Sequence, residues 1–160
     1  MASQTTESNR KTVIASGVFD LLHLGHVRFL EDAKKAGGPN TKLIVIVARD
    51  STTEKLKGRK PIMTEDQRRA LVESLRVVDE AVLGFEGLEI GEVIEKIRPD
   101  VIALGYDQVG MEQEIKAYIS THKRPVRVVR IGRFGENTLD SSSKIKQQIL
   151  DKLAQQRLNP

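Results

Sequence analysis

The chain has 160 residues, of which 39% are hydrophobic and 30% charged, with a net charge of +4 and a pI of about 9.4. This composition excludes a disordered polymer, and the length suits one domain that buries roughly two-thirds of its unfolded surface. The lack of any cysteine excludes disulfides, Cys-ligated zinc and thiol catalysis. No apolar run reaches the roughly 20 residues that a membrane span needs. The polar stretch Met1–Arg10 has no secretory core, so a cytoplasmic location without membrane partners is expected. The basic balance suits either a nucleic-acid surface or a pocket for phosphorylated small molecules. With 2 Tyr, 4 Phe and no Trp, stacking platforms for single strands are scarce, and the cations are dispersed. The pocket is therefore expected, and nucleic acid is not.

Residues 1–11 read as a disordered tail, leaving 12–160 as the folded domain. Thr12–Ser16 is a short apolar strand ending at Gly17. Leu24–Ala36 has helical spacing and stops at Gly37-Gly38-Pro39. Leu43–Ala48 is a β-branched run of the kind buried in parallel sheets. Ser51–Lys60 is polar and basic, and reads as a loop or a short frayed helix. Thr64 followed by Gln67 is a capping box that opens a helix to about Leu75. Then come a strand at Ala81–Leu83, a helix at Ile90–Ile97, a strand at Val101–Leu104 and a helix at Met111–His122. A strand at Val126–Ile131 and a closing helix at Ser141–Leu153 complete the chain. Strands alternating with helices predict a single α/β domain, with a central parallel sheet flanked by helices on both faces. Ligands of such sheets bind at the carboxyl ends of the strands. The loops after Ser16, Ala48, Leu104 and Ile131 are therefore the ones to read.

The first of these loops carries Gly17-Val18-Phe19-Asp20-Leu21-Leu22-His23-Leu24-Gly25-His26. It places two imidazoles three residues apart at the start of a helix, where free backbone N–H groups and the helix dipole favour an anion. Imidazole N–H donors add to that field, so His23 and His26 suit triphosphate oxygens. Gly25, lacking a Cβ, lets a nucleotide approach the backbone, and Gly17 opens the turn. Two histidines at this spacing can also share zinc, but no third ligand accompanies them.

This segment resembles the signature of the cytidylyltransferase-like branch of the HIGH-motif nucleotidyltransferases, and the resemblance extends over roughly Lys11–Leu150. It implies a Rossmann-like fold and direct in-line attack on an α-phosphorus, without a covalent intermediate. It further implies a divalent ion such as Mg²⁺, held mainly by phosphates rather than by side chains, and a homodimer. Both histidines, with Gly17, Val18 and Phe19, would then contact the nucleotide, and Asp20 the acceptor.

The later loops extend the likeness. After the second strand, Asp50 matches an acceptor-binding Asp, and Lys55, Lys57, Arg59 and Lys60 form a basic stretch. Charge alone leaves that stretch open between a solvated loop and a phosphate site. The resemblance points to a catalytic Lys at Lys57, with Lys60 as the alternative register. Arg68 and Arg76 lie within about 80° of each other around a helix, and match family positions for acceptor phosphate, with Arg76-Val77-Val78-Asp79 also shaping a dimer contact. Gly105-Tyr106-Asp107-Gln108 is turn chemistry; by resemblance Asp107 faces the nucleotide and Tyr106 the acceptor. Ser141-Ser142-Ser143-Lys144 offers caps and free N–H groups at a helix start, and resembles the family element that holds the β- and γ-phosphates, with Ser142 catalytic. The Arg-Thr-Glu-Gly stretch that often precedes it is missing, and Arg130 takes the base-contacting role in its place.

Among branches of this family, the segments around Asp50, Lys57–Ile62 and Leu104–Gln108 look most like archaeal FAD synthases, which implies ATP and FMN as substrates. Glycerol-3-phosphate cytidylyltransferases and heptose-phosphate adenylyltransferases are alternatives, as is a non-catalytic nucleotide-binding module. A class I aminoacyl-tRNA synthetase would need a tRNA-binding domain for which there is no room. A nicotinamide dehydrogenase would need Gly-x-Gly-x-x-Gly where Gly17-Val18-Phe19-Asp20 stands.

Overall fold

A computed structural model describes residues 10–87, 89–135 and 139–158. The expected tail lies outside these up to residue 9. Lys11 already opens β1 (Lys11–Gly17), followed by α1 (Leu24–Ala36), β2 (Thr41–Val47), α2 (Asp50–Lys57), α3 (Glu65–Glu73) and β3 (Glu80–Leu83). The second half contributes α4 (Ile90–Ile97), β4 (Val101–Leu104), α5 (Val109–His122), β5 (Arg127–Arg130) and α6 (Ser142–Leu158). All strand pairs are parallel, in the order β3-β2-β1-β4-β5. The direction of progression reverses between β1 and β4, so the loops after these two strands diverge and leave a crevice at their carboxyl ends.

The strands alternate their apolar side chains between two cores, as a pleated sheet requires. Val13, Ala15, Leu43, Val45, Val101 and Ala103 pack with Leu30 and Ala33 of α1 and Val72 of α3. Ile14, Ile44, Ile102 and Leu104 pack on the opposite face with Ile94 of α4 and Ile115 of α5. Both faces are covered, which is why the strands read as continuous apolar runs. Among the described residues, no helix is long and apolar enough to cross a membrane.

Several elements depart from the expected bounds. The segment expected as a loop or frayed helix contains the regular helix α2, closed at Gly58 in the left-handed conformation (φ 69°). Its one large apolar residue, Leu56, is exposed, and only Thr53 is buried. α5 begins two residues before the expected Met111, and α6 runs five residues beyond the expected Leu153. Thr64 does accept from the Gln67 N–H at 3.4 Å, and α3 closes at Glu73 rather than Leu75.

Candidate active site

The loop from β1 to α1 is the structural centre of the crevice. Phe19 (φ 55°) and Leu21 (φ 48°) both occupy the left-handed region, which is costly for residues with a branched or bulky side chain. Such strain persists only where surrounding contacts over-determine it, and here they do. The Phe19 ring is buried and lies 5.2 Å from the His26 ring, centroid to centroid. A Cβ on Gly17 would sit 3.0 Å from the Phe19 ring, so this glycine makes room for phenylalanine. Asp20 is buried, its two carboxylate oxygens accept from the Ile62 and Met63 N–H groups at 3.0 Å each, and Lys146 of α6 lies 3.2 Å away. Ser142 Oγ donates to the Asp20 carbonyl. Burial opposes ionisation of Asp20, but the two N–H donors and the Lys146 ammonium outweigh it and hold its carboxyl below the usual range.

The loop delivers His23 to the N-cap of α1 and His26 to its first turn. The rings stack at 3.7 Å, with planes 24° apart. His26 Nδ1 accepts from the His23 backbone N–H at 3.4 Å, which leaves Nε2 as the protonated nitrogen of a neutral ring. Burial, the adjacent His23 ring and Lys57 push the His26 pKa down to about 3, against the pull of Asp20. Burial lowers His23 as well, against Asp140. Both imidazoles are thus neutral N–H donors at physiological pH. His23 Nδ1 is the one buried side-chain polar atom without a hydrogen-bond partner among the described residues.

Gly25 serves packing more directly than ligand approach. A Cβ there would meet the Asp140 carbonyl oxygen at 2.6 Å and His23 Nδ1 at 2.9 Å. The glycine lets the strap before α6 lie against the histidine helix. Asp140 is held on that strap by Arg133 (3.2 Å) and Lys144 (2.6 Å), which lower its pKa to about 2. Ser141 caps α6 by accepting from the Lys144 N–H at 3.2 Å. Ser142 and Ser143 follow it, with Ser143 exposed, beside the β1–α1 loop that Ser142 touches.

The loop after β2 is tied in by Arg68, which is fully buried. Its Nη1 donates to the Val18 and Ala48 carbonyls at 2.6 and 2.8 Å, its Nε to Met63 O at 3.0 Å, and its Nη2 to Asp50 Oδ1 at 2.6 Å. Asp50 and Glu65 exchange N–H···carboxylate bonds at 2.7 and 3.4 Å, and Arg49 bonds Glu65 at 2.9 Å. Arg68 and Asp50, both expected at the acceptor, therefore spend these groups inside the protein and fix the ends of β1 and β2 relative to each other. Lys57 is exposed at the end of α2 and has no ion-pair partner among the described residues, and its charge reaches His26.

On the other side of the crevice, Tyr106 and Asp107 are exposed after β4, with the Arg133 guanidinium 5.7 Å from the Tyr106 ring centre. Arg130 closes β5 opposite Leu104 and is paired with Glu112. Arg76 stands apart. It follows α3, and Asp79 bonds Leu43 near the start of β2, so Arg76 lies toward the amino ends of the strands. An open cavity of about 500 Å³ lined by Glu31, Lys34, Lys35, Gly38 and Val77 lies at that same end, remote from the histidines. Sequence reading overlooked Glu65, Asp140 and Lys146. Glu65 was legible only as an acidic residue in the first turn of α3, Lys146 pairs with the distant Asp20, and Asp140 meets the distant Gly25 although its ion-pair partners Arg133 and Lys144 are local.

Residues 14–148 match the cytidylyltransferase-like family model. The chain belongs to the cytidylyltransferase-like family. It is 49% identical over 148 residues to a protein named FAD synthase from Ferroglobus placidus, covering 92% of this chain and 93% of that one. It is 48% identical over 141 residues to the FAD synthase of Aciduliprofundum boonei, covering 88% and 91%. A crystal structure described as a lipopolysaccharide core biosynthesis protein from Thermoplasma volcanium superposes with a TM-score of 0.70 at 43% identity, covering 78% of this chain and 98% of that one.

Proposed function

We propose that the chain is an FAD synthase, a nucleotidyltransferase that moves AMP from ATP to FMN and releases pyrophosphate. The observation that carries this reading is near full-length identity of 41–49% to proteins named FAD synthase. The site chemistry supports it. A phosphate oxygen of FMN forms the new bond to the α-phosphorus of ATP, the bond to the pyrophosphate oxygen breaks, and FAD and pyrophosphate result. The FMN phosphate is already ionised at neutral pH, so the step needs no general base. The neutral His23 and His26 offer N–H donors to the triphosphate, and the α1 N-terminus adds its dipole. Charge building on the leaving pyrophosphate is met by these donors, by Lys57 and by the N-terminus of α6 at Ser142 and Ser143, a preorganised arrangement of the kind that dominates phosphoryl transfer. Asp107 and Arg130, with Val18 and Phe19, border the nucleotide, and Tyr106 borders the acceptor. Asp20, Asp50 and Arg68 act by positioning the loops.

The described residues contain no group of three or more His, Cys, Asp or Glu that fits a protein-held metal ion. A divalent ion belongs to this reaction as a companion of the ATP phosphates. Exposed Ile149, Leu150 and Leu153 on α6 support a homodimer, which light scattering on the purified protein tests.

The test of function is pyrophosphate release with Mg²⁺ and either ATP or CTP against FMN, glycerol-3-phosphate and heptose-1-phosphate. Release with ATP and FMN alone is expected. Release with CTP and glycerol-3-phosphate, or with heptose-1-phosphate, moves the protein to a neighbouring branch of the family, and no release with any pair leaves an untested acceptor or a nucleotide-binding module.

A further inference from the structure

Two apolar side chains stand out in the segment that follows β2. Leu56 is 79% exposed and Ile62 67% exposed. Single exposed apolar residues are common on protein surfaces and need no explanation by themselves. These two flank the basic turn after α2: Leu56 lies between two lysines, and Ile62 is anchored to the histidine loop. Leu56 sits in the last turn of α2 between Lys55 and Lys57. Gly58 then reverses the chain, and Lys60 returns to 4.0 Å from Glu54. Ile62 follows Pro61, whose ring fixes the backbone, and its N–H is bonded to Asp20 Oδ2 at 3.0 Å. Its main chain is thus pinned beside the strained loop that positions His23 and His26, while its side chain faces solvent. Lys57, one residue from Leu56, is close enough for its charge to lower the His26 pKa.

A ligand that matches this segment has an anionic phosphate for the cations and a broad apolar ring for the aliphatic side chains. We infer that Leu56 and Ile62 seat the isoalloxazine ring of the acceptor while Lys57 draws its phosphate toward the histidines, an inference that rests on the acceptor reading given above. Glycerol-3-phosphate has no ring and draws nothing from these two residues. They therefore act as specificity determinants for a phosphorylated tricyclic acceptor rather than as catalytic groups. Apolar area removed from water on ring docking sets the size of the effect, roughly tenfold in affinity for each side chain lost.

The experiment uses the full chain with Leu56→Ser, Ile62→Ser, the double variant, and the conservative Leu56→Met and Ile62→Val. FMN binding is followed by quenching of its fluorescence, and KM for FMN and for ATP by pyrophosphate release. The expected result is a rise of roughly tenfold in the FMN Kd and KM for each serine variant, an unchanged KM for ATP, and near-normal values for the conservative pair. Unchanged FMN affinity in the double variant overturns the inference, as does a parallel loss of FMN and ATP affinity. If the unsubstituted protein turns over a sugar phosphate and not FMN, the acceptor reading itself has failed and the inference falls with it. That outcome is visible before any variant is made.

Discussion

At the scale of single residues, the depressed pKa of His26 decides how it works. A ring with a pKa of about 3 is neutral in the free protein, so it contributes directed N–H donation and not charge. The value of such a donor appears as charge builds on the leaving group, and losing one donor of this type costs about 3 kcal/mol. His26→Ala is therefore expected to lower kcat by roughly 100-fold, with a smaller effect on KM for ATP. Steady-state rates with ATP and FMN check this, and an unchanged kcat removes His26 from the chemistry. Arg68 poses the opposite case, since its side chain never meets solvent. Arg68→Met would strand the Asp50 carboxylate and the Val18, Ala48 and Met63 carbonyls without their donor. Breaking one half of a buried pair costs about 3–5 kcal/mol. Urea denaturation should show a loss of that order, and Arg68→Lys should recover only part of it, because an ammonium cannot reproduce the guanidinium fork. A Met variant as stable as the parent would show that the four acceptors are satisfied by water.

At the scale of elements, the histidine helix and α6 meet through the absent side chain of Gly25. In Gly25→Ala, the new Cβ has to displace a backbone carbonyl at 2.6 Å and the His23 ring at 2.9 Å. The strap before α6 cannot retreat freely, because Asp140 is held by Arg133 and Lys144. Reorientation of His23 is expected to lower kcat/KM by at least roughly tenfold, in line with the sensitivity of transfer reactions to small misplacements. The ring stacking gives an independent readout: NMR signals of the His23 and His26 rings should shift together. A variant with parental kcat/KM and unmoved ring signals contradicts this account. The sheet and the histidine loop were legible in the sequence because both leave local marks: β-branched runs, glycine and proline stops, and His-x-Gly-His at a strand-to-helix switch. α2 was obscured because a helix burying only Thr53 leaves no apolar stripe. The roles of Arg68 and Asp20 were obscured for a different reason. Their partners lie 18 to 50 residues away for Arg68 beyond the local Met63, and 42 residues or more for Asp20, and a motif match records residue type but not which way a side chain turns. Arg76 shows the limit of spacing arguments. It lies about 80° from Arg68 on an ideal helix, but α3 ends at Glu73, and the chain has turned toward the strands' amino ends by Arg76.

At the scale of the whole molecule, acid stability follows from the histidine site together with paired carboxylates, Asp79 among them at the opposite ends of the strands. His26 falls from 6.5 to about 3, His23 is lowered, and Asp20, Asp79 and Asp140 are all held below their ordinary 3.8. Every one of these folded-state values is depressed. In each window the unfolded chain binds more protons than the folded one, so stability rises with pH across it. The histidine contribution is fully present above pH 6.5 and is lost as pH falls from there toward 3; the carboxylates add a further loss only below about 3.8. The fold is therefore expected to weaken in two stages, with the first beginning well above the range where carboxylates titrate. Urea midpoints should be flat between about pH 7 and 8 and decline steadily from 6.5 to 4.5, by an amount on the order of a few kcal/mol. His26→Gln, which removes the titrating ring while keeping a polar donor, should flatten much of that decline and leave the steeper loss below pH 4 in place. A midpoint that stays constant from pH 7 to 4.5 in the parent protein would mean that His26 is protonated without penalty and keeps its ordinary pKa in the fold.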